Sequence, residues 1–307
     1  MRVAVVFPGQ GTQQPGMGEP WQDQPAWKIL EQAEAALGEP LAPLLLDASA
    51  DDLGRTRNSQ LSVLCTSLIA WEAARAYLDN ADIVAFGGHS LGQVTALIAS
   101  DVLPLEDGVR FAARRAELTQ AAADAHPGKM AALLGASVDD AEAACAAAPD
   151  ACWVANDNAP GQVVIAGTPE GLDAALARAK ENGVKRATPL KVGGAFHTPL
   201  MVSARDGLVA ALADVPFDAP RAPVVSNHDG AAYGDGDGWR NRLPEHVTVP
   251  VRWRTSMETL AALGADAFVE VGHGVMIAGV AKRTVPEVRV IPCGTPEDCT
   301  NLTEVSP

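Results

Sequence analysis

Basic charge is in short supply in this 307-residue chain. Lys and Arg number 23 against 38 Asp and Glu, a formal net charge of -15. Such an acidic surface opposes a phosphodiester backbone, so nucleic acid is not an expected partner. No apolar run is long enough to span a bilayer, and Met1-Arg2 leads directly into Val3-Ala4-Val5-Val6-Phe7 without a leader pattern. The expectations are no membrane partner and a cytoplasmic location. Cysteine is sparse: Cys65, Cys145, Cys152, Cys293 and Cys299 are odd in number and lack CxxC spacing. Reduced thiols are expected, and a Cys293–Cys299 link has only nearness in sequence behind it. Zinc-type Cys/His spacing is missing, so no metal is expected. The glycine-bearing loop Pro8-Gly9-Gln10-Gly11-Thr12-Gln13-Gln14 lacks both the third glycine of a dinucleotide fingerprint and the Lys-Ser/Thr of a phosphate loop. It gives little support to nucleotide binding, although two glycines beside Gln10 would let backbone approach a ligand.

What is present is a folded-protein composition, 48% apolar and 20% charged, with abundant alanine. Apolar runs and breakers predict a strand over 2–7, helices over 25–38 and 58–79, and a strand at Asp82–Phe86. A helix over 105–125 ends at His126-Pro127-Gly128. Then the rhythm changes. Lys129–Leu134 reads as a strand, Val138–Ala148 as a helix, and Cys152–Ala155 and Gln162–Ala166 as strands around the turn Asn156–Gly161. Pro169–Asn182 reads as a helix and Arg186–Val192 as a strand. The order β-α-β-β-α-β is the ferredoxin-like signature. The expected fold is therefore α/β: a large lobe from 1–127 and 193–307, with a small ferredoxin-like lobe over 128–192 inserted in it. The large lobe resumes with a strand at Ala222–Ser226, a Gly/Asp-rich loop over 229–238, a helix near 252–263 and a strand at Ala267–Val271. The polar tail after Cys293 is expected to fray.

The chemistry-bearing feature is Gly88-His89-Ser90-Leu91-Gly92, set between the strand and the helix-forming run Gln93–Ala99. Gly-x-Ser-x-Gly at a sharp strand-to-helix turn is the nucleophile-elbow pattern. The turn strains the serine backbone, and the flanking glycines give it room. The hydroxyl then stands at a helix start that favours developing negative charge. A serine needs a base at neutral pH. Of six histidines, His89 is too close on the elbow and reads as supporting the turn, and His126 sits in a break. His228, His246 and His273 lie in loops or at element ends. His197 lies in Gly193-Gly194-Ala195-Phe196-His197-Thr198-Pro199, just past a strand at a lobe boundary, where pockets form. Spacing alone does not separate it from an ordinary loop histidine.

Six segments occur in order: Pro8–Gln13, Gly88–Gly92, Arg115 five residues before Gln120, Asn158–Gly167, Ala195-Phe196-His197, and Pro250-Val251-Arg252-Trp253. Together, over about residues 1–290, they resemble the malonyl-CoA:acyl-carrier-protein transacylases of fatty acid and polyketide synthesis. The resemblance implies an α/β-hydrolase-like large lobe with a ferredoxin-like small lobe. It implies Ser90 as nucleophile, His197 as base, and the backbone N–H groups of Gln10 and Leu91 as oxyanion hole. His89 and Asn158 would be supporting residues. The histidine would be oriented by a backbone carbonyl from Glu245-His246-Val247, where the family often has glutamine at the position of His246. The implied substrates are malonyl-CoA and the phosphopantetheine thiol of an acyl carrier protein, with no permanently bound cofactor.

Arg114 and Arg115 sit about 100° apart on a helix, so one can be buried and the other solvated. By the resemblance, Arg115 would clamp a free carboxylate with its guanidinium fork. Phe196 and Leu91 would go with malonyl over methylmalonyl, since a ring beside the base leaves little room for an α-branch. The rivals are transfer of an unusual acyl unit between carrier proteins, an editing thioester hydrolase, and a non-catalytic carrier-binding module.

Overall fold

A computed structural model describes residues 1–304. Its centre is the strand β1, Arg2–Phe7, flanked by β2 (Asp82–Gly88) on one side and Ala267–Val271 on the other. All of Val3 to Phe7 is fully buried. A strand reading Val-Ala-Val-Val-Phe has no polar face, which suits a parallel sheet covered on both sides. Alternation sends Val3, Val5 and Phe7 into one core and Ala4 and Val6 into the other. The first core is filled by helices Thr56–Leu78, Gly92–Ala99 and Leu105–Ala125. Helices Trp253–Ala262 and Met276–Thr284 cover the second face.

The remaining strands are β3 (Lys129–Leu134), β4 (Cys152–Ala159), β5 (Gln162–Gly167), β6 (Arg186–Pro189), β7 (Val224–Val225), β8 (Ala232–Tyr233), β9 (Ala267–Val271) and β10 (Arg289–Cys293). The large sheet has the order β10-β9-β1-β2-β7-β8, parallel except for β8. The second sheet, β4-β5-β3-β6, is antiparallel throughout. The fold class is thus mixed α/β, with a β-α-β-β-α-β unit supplying the antiparallel sheet. One face of that sheet packs on helices Val138–Cys145 and Pro169–Glu181 through Ala131, Leu133, Val163 and Ile165. Its other face, with Met130, Ala132, Val164 and Ala166, packs against Ala195 and Phe196. The cleft between the two sheets is built from that second face.

Several local expectations are corrected. The stretch 156–159 is not a turn: β4 continues through Ala159 with two irregularities of register, leaving Pro160-Gly161 as the connection. The helix after Ser137 stops at Cys145, β6 stops at Pro189, and β7 keeps only two residues of the strand read over Ala222–Ser226. The tail does not fray through residue 304. Thr295 and Asp298 form a capping box that starts helix Pro296–Thr300, and Cys299 and Leu302 are buried in the core with helix Thr56–Leu78. Polar composition hid two buried anchors there. Residues 305–307 of the tail lie outside the described residues. Helices Val202–Ala211, Trp239–Glu245 and Met276–Thr284 and strand β10 had no counterpart in the sequence reading. All five cysteines are free thiols, with Cys293 and Cys299 Sγ atoms 2.9 Å apart and those of Cys145 and Cys152 3.7 Å apart.

Candidate active site

β1 and β2 run side by side with Phe7 opposite Gly88, so the loops that follow them meet above the sheet. Ser90 has φ 52°, a left-handed backbone that a serine adopts only when its surroundings impose it. A Cβ on Gly88 would lie 2.0 Å from the carbonyl oxygen of Gly92, and one on Gly92 2.3 Å from that of Phe7. Both glycines are therefore obligatory at this turn. Gly9 is tight for a different reason from the one read in the sequence. Its hydrogen faces the His89 carbonyl, which a Cβ would meet at 2.4 Å. The close approach is made to the elbow rather than to a ligand, and it seats Gln10 beside Ser90.

His197 lies 107 positions further along, yet its Nε2 is 2.7 Å from Ser90 Oγ. Its Nδ1 is 2.7 Å from the His246 carbonyl oxygen. A carbonyl can only accept, so Nδ1 carries the proton and Nε2 is left as the acceptor of the serine O–H. Burial, followed by the nearby Arg115 cation, pushes the His197 pKa down to about 3. The imidazole is neutral at neutral pH. His197 too has positive φ, 62°.

Arg114 is exposed and pairs with Glu117, whereas Arg115 is buried. Arg115 Nη1 donates to Gln60 Oε1 at 2.6 Å and Nη2 donates to Ser90 Oγ at 3.2 Å. Burial lowers its pKa to about 10, which leaves it a cation. Among the described residues no carboxylate pairs with it.

The supporting residues divide between two roles. His89 Nε2 donates to Asn158 Oδ1 at 2.8 Å, tying the elbow to β4, and its ring meets Trp253 edge-on at 5.6 Å. His246 contributes its carbonyl to His197, but its own ring turns to Ser226 Oγ at 3.1 Å and to the Trp239 edge. Burial pushes its pKa down to about 3 as well. Phe196 is half-buried: it packs with Met130 and Ala132 of β3 and also lines the cavity at Ser90. That cavity, about 270 Å³, gathers Gln10, Gln60, Ser90, Arg115, Phe196 and His197. Leu91 is fully buried as the N-cap of helix Gly92–Ala99.

Gln60 and Asn227 were absent from the sequence reading. Gln60 is a buried amide in the polar opening turns of helix Thr56–Leu78, among the buried Thr56, Ser59 and Ser62. Asn227 follows β7 at the carboxyl edge of the parallel sheet, where ligand sites gather, and that position was its only signal.

Residues 4–300 match the acyl transferase domain family. A malonyl CoA-acyl carrier protein transacylase of Bacillus subtilis is 35% identical over 304 residues, covering 96% of this chain and 94% of the relative. The Escherichia coli K12 protein of the same name is 38% identical over 293 residues, covering 92% and 93%. The structure of the Coxiella burnetii malonyl CoA-acyl carrier protein transacylase superposes with a TM-score of 0.94 at 30% identity, covering 100% of this chain and 98% of that one. A malonyl-transacylase solved with a type II PKS acyl-carrier protein superposes with a TM-score of 0.93 at 29% identity, covering 99% of each. With the family model matching nearly the whole chain and relatives 35–38% identical over more than nine-tenths of it, this chain belongs to the acyl transferase family, among the malonyl-CoA:acyl-carrier-protein transacylases.

Proposed function

We propose that this chain transfers a malonyl group from malonyl-CoA to the phosphopantetheine thiol of an acyl carrier protein through an ester on Ser90. Ser90 Oγ attacks the thioester carbon while its proton passes to His197 Nε2. The oxyanion is held by the backbone N–H groups of Gln10 and Leu91, neither of which takes part in the backbone hydrogen bonding of the turn. As the C–S bond breaks, the CoA sulfur takes the proton back from Nε2. The carrier-protein thiol then gives its proton to Nε2 and attacks the malonyl ester, and Ser90 Oγ recovers a proton as it leaves. One base serves both halves because Nδ1 stays fixed on the His246 carbonyl.

The observation that carries the choice of acyl group is Arg115. A buried cation whose side-chain partners are the neutral Gln60 and Ser90 is an incomplete ion pair, and the free malonyl carboxylate completes it. A neutral acyl chain would leave the charge unpaired, which disfavours the editing hydrolase of simple acyl groups. Phe196 beside the base crowds an α-methyl branch.

The same reading includes the lobe boundaries, with 1–127 and 193–307 as the catalytic lobe and 128–192 as the small lobe; two separate sheets support it. A cytoplasmic site of action belongs to it too, where carrier proteins and CoA thioesters occur; among the described residues no helix is long and apolar enough to cross a membrane. The decisive experiment mixes the protein with malonyl-CoA and maps the adduct by mass spectrometry. One malonyl group on the Ser90 peptide, discharged by a phosphopantetheinylated carrier protein, is expected. Discharge to water at the same rate without the carrier would replace the transferase by a hydrolase.

A further inference from the structure

Every polar group of Asn227 is engaged, and the engagements converge on the elbow. Its side-chain Oδ1 accepts the Ser90 backbone N–H at 2.7 Å, and its Nδ2 donates to the Gly88 carbonyl at 2.8 Å. Its backbone N–H donates to Gln93 Oε1 at 3.0 Å, in the first turn of helix Gly92–Ala99. Its carbonyl accepts from the Arg252 backbone N–H at 2.9 Å. The residue is buried. The orientation of the carboxamide is determined by its partners, because a flipped amide would set a donor against the Ser90 N–H and an oxygen against the Gly88 carbonyl.

The sheet explains the need. β2 pairs with the short β7 in parallel, with Phe86 opposite Val224 and the Phe86 N–H bonded to the Pro223 carbonyl. At Gly88 the chain turns into the elbow, and backbone pairing with β7 stops. The Gly88 carbonyl and the Ser90 N–H are thereby left as a buried acceptor and donor on either side of His89. The Asn227 carboxamide is the amide that answers both, standing in for the next rung of the ladder. Ser90 sits at φ 52°, and the peptide that follows it carries the Leu91 N–H. Holding the Ser90 N–H therefore sets where Oγ and the Leu91 N–H point. It also commits the Ser90 amide to Asn227, so that amide is not available to an oxyanion.

We propose that Asn227 is a positioning residue of the acylation reaction, whose carboxamide completes the sheet ladder at the elbow and so aligns Ser90 Oγ with His197 and the Leu91 N–H with the substrate carbonyl. It touches neither substrate nor the reacting atoms. The proposal rests on Ser90 being the nucleophile.

The test is a rapid-quench measurement of malonyl-enzyme formation by the full chain with Asn227→Ala, scoring rate constant and burst amplitude separately. Misalignment in a folded enzyme lowers the rate constant at saturating malonyl-CoA at least tenfold, keeps the amplitude near one per chain, and changes the half-saturating malonyl-CoA concentration less than threefold. Discharge to the carrier protein slows by a similar factor, since the same elbow serves it. A structural role alone lowers the amplitude, through unfolded chains, and leaves the rate constant unchanged. Asn227→Asp, of the same shape, is the second variant; as a carboxylate at pH 8 it cannot donate to the Gly88 carbonyl and shows the same fall in rate constant. Either folded variant acylating within twofold of the wild-type rate constant overturns the proposal. A wild-type protein that forms no Ser90 adduct fails the functional reading instead.

Discussion

Ser90 and His197 meet at 2.7 Å, and both hold left-handed backbones, φ 52° and 62°. Such conformations cost about 1–3 kcal/mol each for residues other than glycine. One loop follows β2 and the other follows the inserted sheet unit, and their side chains are the pair that would perform the chemistry. Packing supplies the compensation: Ser90 is locked by Asn227, and His197 is buried with its Nδ1 on the His246 carbonyl. The glycines on either side of Ser90 make its turn possible, and contacts distant in sequence hold both backbones in place.

Removing the hydroxyl tests the centre directly. Ser90→Ala is expected to abolish the malonyl adduct while keeping the unfolding transition within about 1 kcal/mol of wild type, since it deletes one oxygen at a cavity wall. His197→Ala is expected to slow both acylation and discharge, by about 10²–10⁴-fold as for loss of a general base. Stopped-flow measurement of each half-reaction checks this. Slowing of discharge alone would move His197 to the carrier side.

Arg115→Ala is expected to cut malonyl loading sharply and to raise acetyl loading relative to it, with Ser90 still reactive. Arg115→Lys should recover only part of the malonyl activity, because an ammonium cannot reproduce the paired fork. Comparing acyl-enzyme formation from malonyl-CoA and acetyl-CoA measures both. A wild-type protein that loads the two equally would remove Arg115 as the clamp.

Phe196→Ser should raise the use of methylmalonyl-CoA relative to malonyl-CoA, by about 10-fold if one methyl is accommodated. Because the ring also packs on Met130 and Ala132, the change should cost about 2 kcal/mol of stability. Competition between the two thioesters, with a parallel denaturant titration, separates the effects.

The buried histidines set a pH dependence of stability. His197 and His246 have pKa values lowered from 6.5 to about 3, chiefly by burial. The unfolded chain takes up protons below its ordinary histidine pKa while the folded chain does not. Stability from these two groups is therefore complete above pH 6.5 and declines as pH falls towards 3, with a slope of up to about 1.4 kcal/mol per pH unit for each histidine. Urea titrations between pH 7 and 4 should show this decline, and His246→Gln should reduce its slope. The acylation rate should hold at pH 5.5, because His197 Nε2 remains an acceptor there.

Carrier docking faces a charge conflict, since the enzyme is acidic and so are CoA and most carrier proteins. A local basic surface must offset the repulsion; Arg254 is paired with Asp157 and Arg283 is bonded to Gln162. Lys185, Arg186, Lys191, Arg252 and Lys282 are exposed. Lys191 lies between the cavity-lining Leu190 and Val192 in sequence and itself lines a separate surface depression with Gln13 and Arg55. Lys191→Glu should raise the carrier-protein KM about 5-fold or more and spare malonyl-enzyme formation. Steady-state kinetics with the carrier varied provides the check.

By itself the sequence determined the elements whose signal is local. The apolar alternation of β1, the break at His126-Pro127-Gly128 and the small residues around Ser90 each follow from the conformation of a few neighbouring residues. So does the β-α-β-β-α-β order. The tail shows the limit of that reasoning: its polar residues concealed a capping box and two buried anchors, Cys299 and Leu302, which join the core around helix Thr56–Leu78 more than 200 positions away. The site was legible only where a motif carried it. Residue spacing did not separate His197 from the other histidines or Arg115 from Arg114; the ordered motifs named both, and the tertiary structure supplied the contacts, His197 on Ser90 and Arg115 buried beside it. It alone turned the His246 ring to Ser226. It alone brought in Gln60 and Asn227. The physical reason is common to all of these. Burial and hydrogen bonding depend on which elements pack together across the sheet, and a buried amide or guanidinium has the same spelling in sequence as a solvated one.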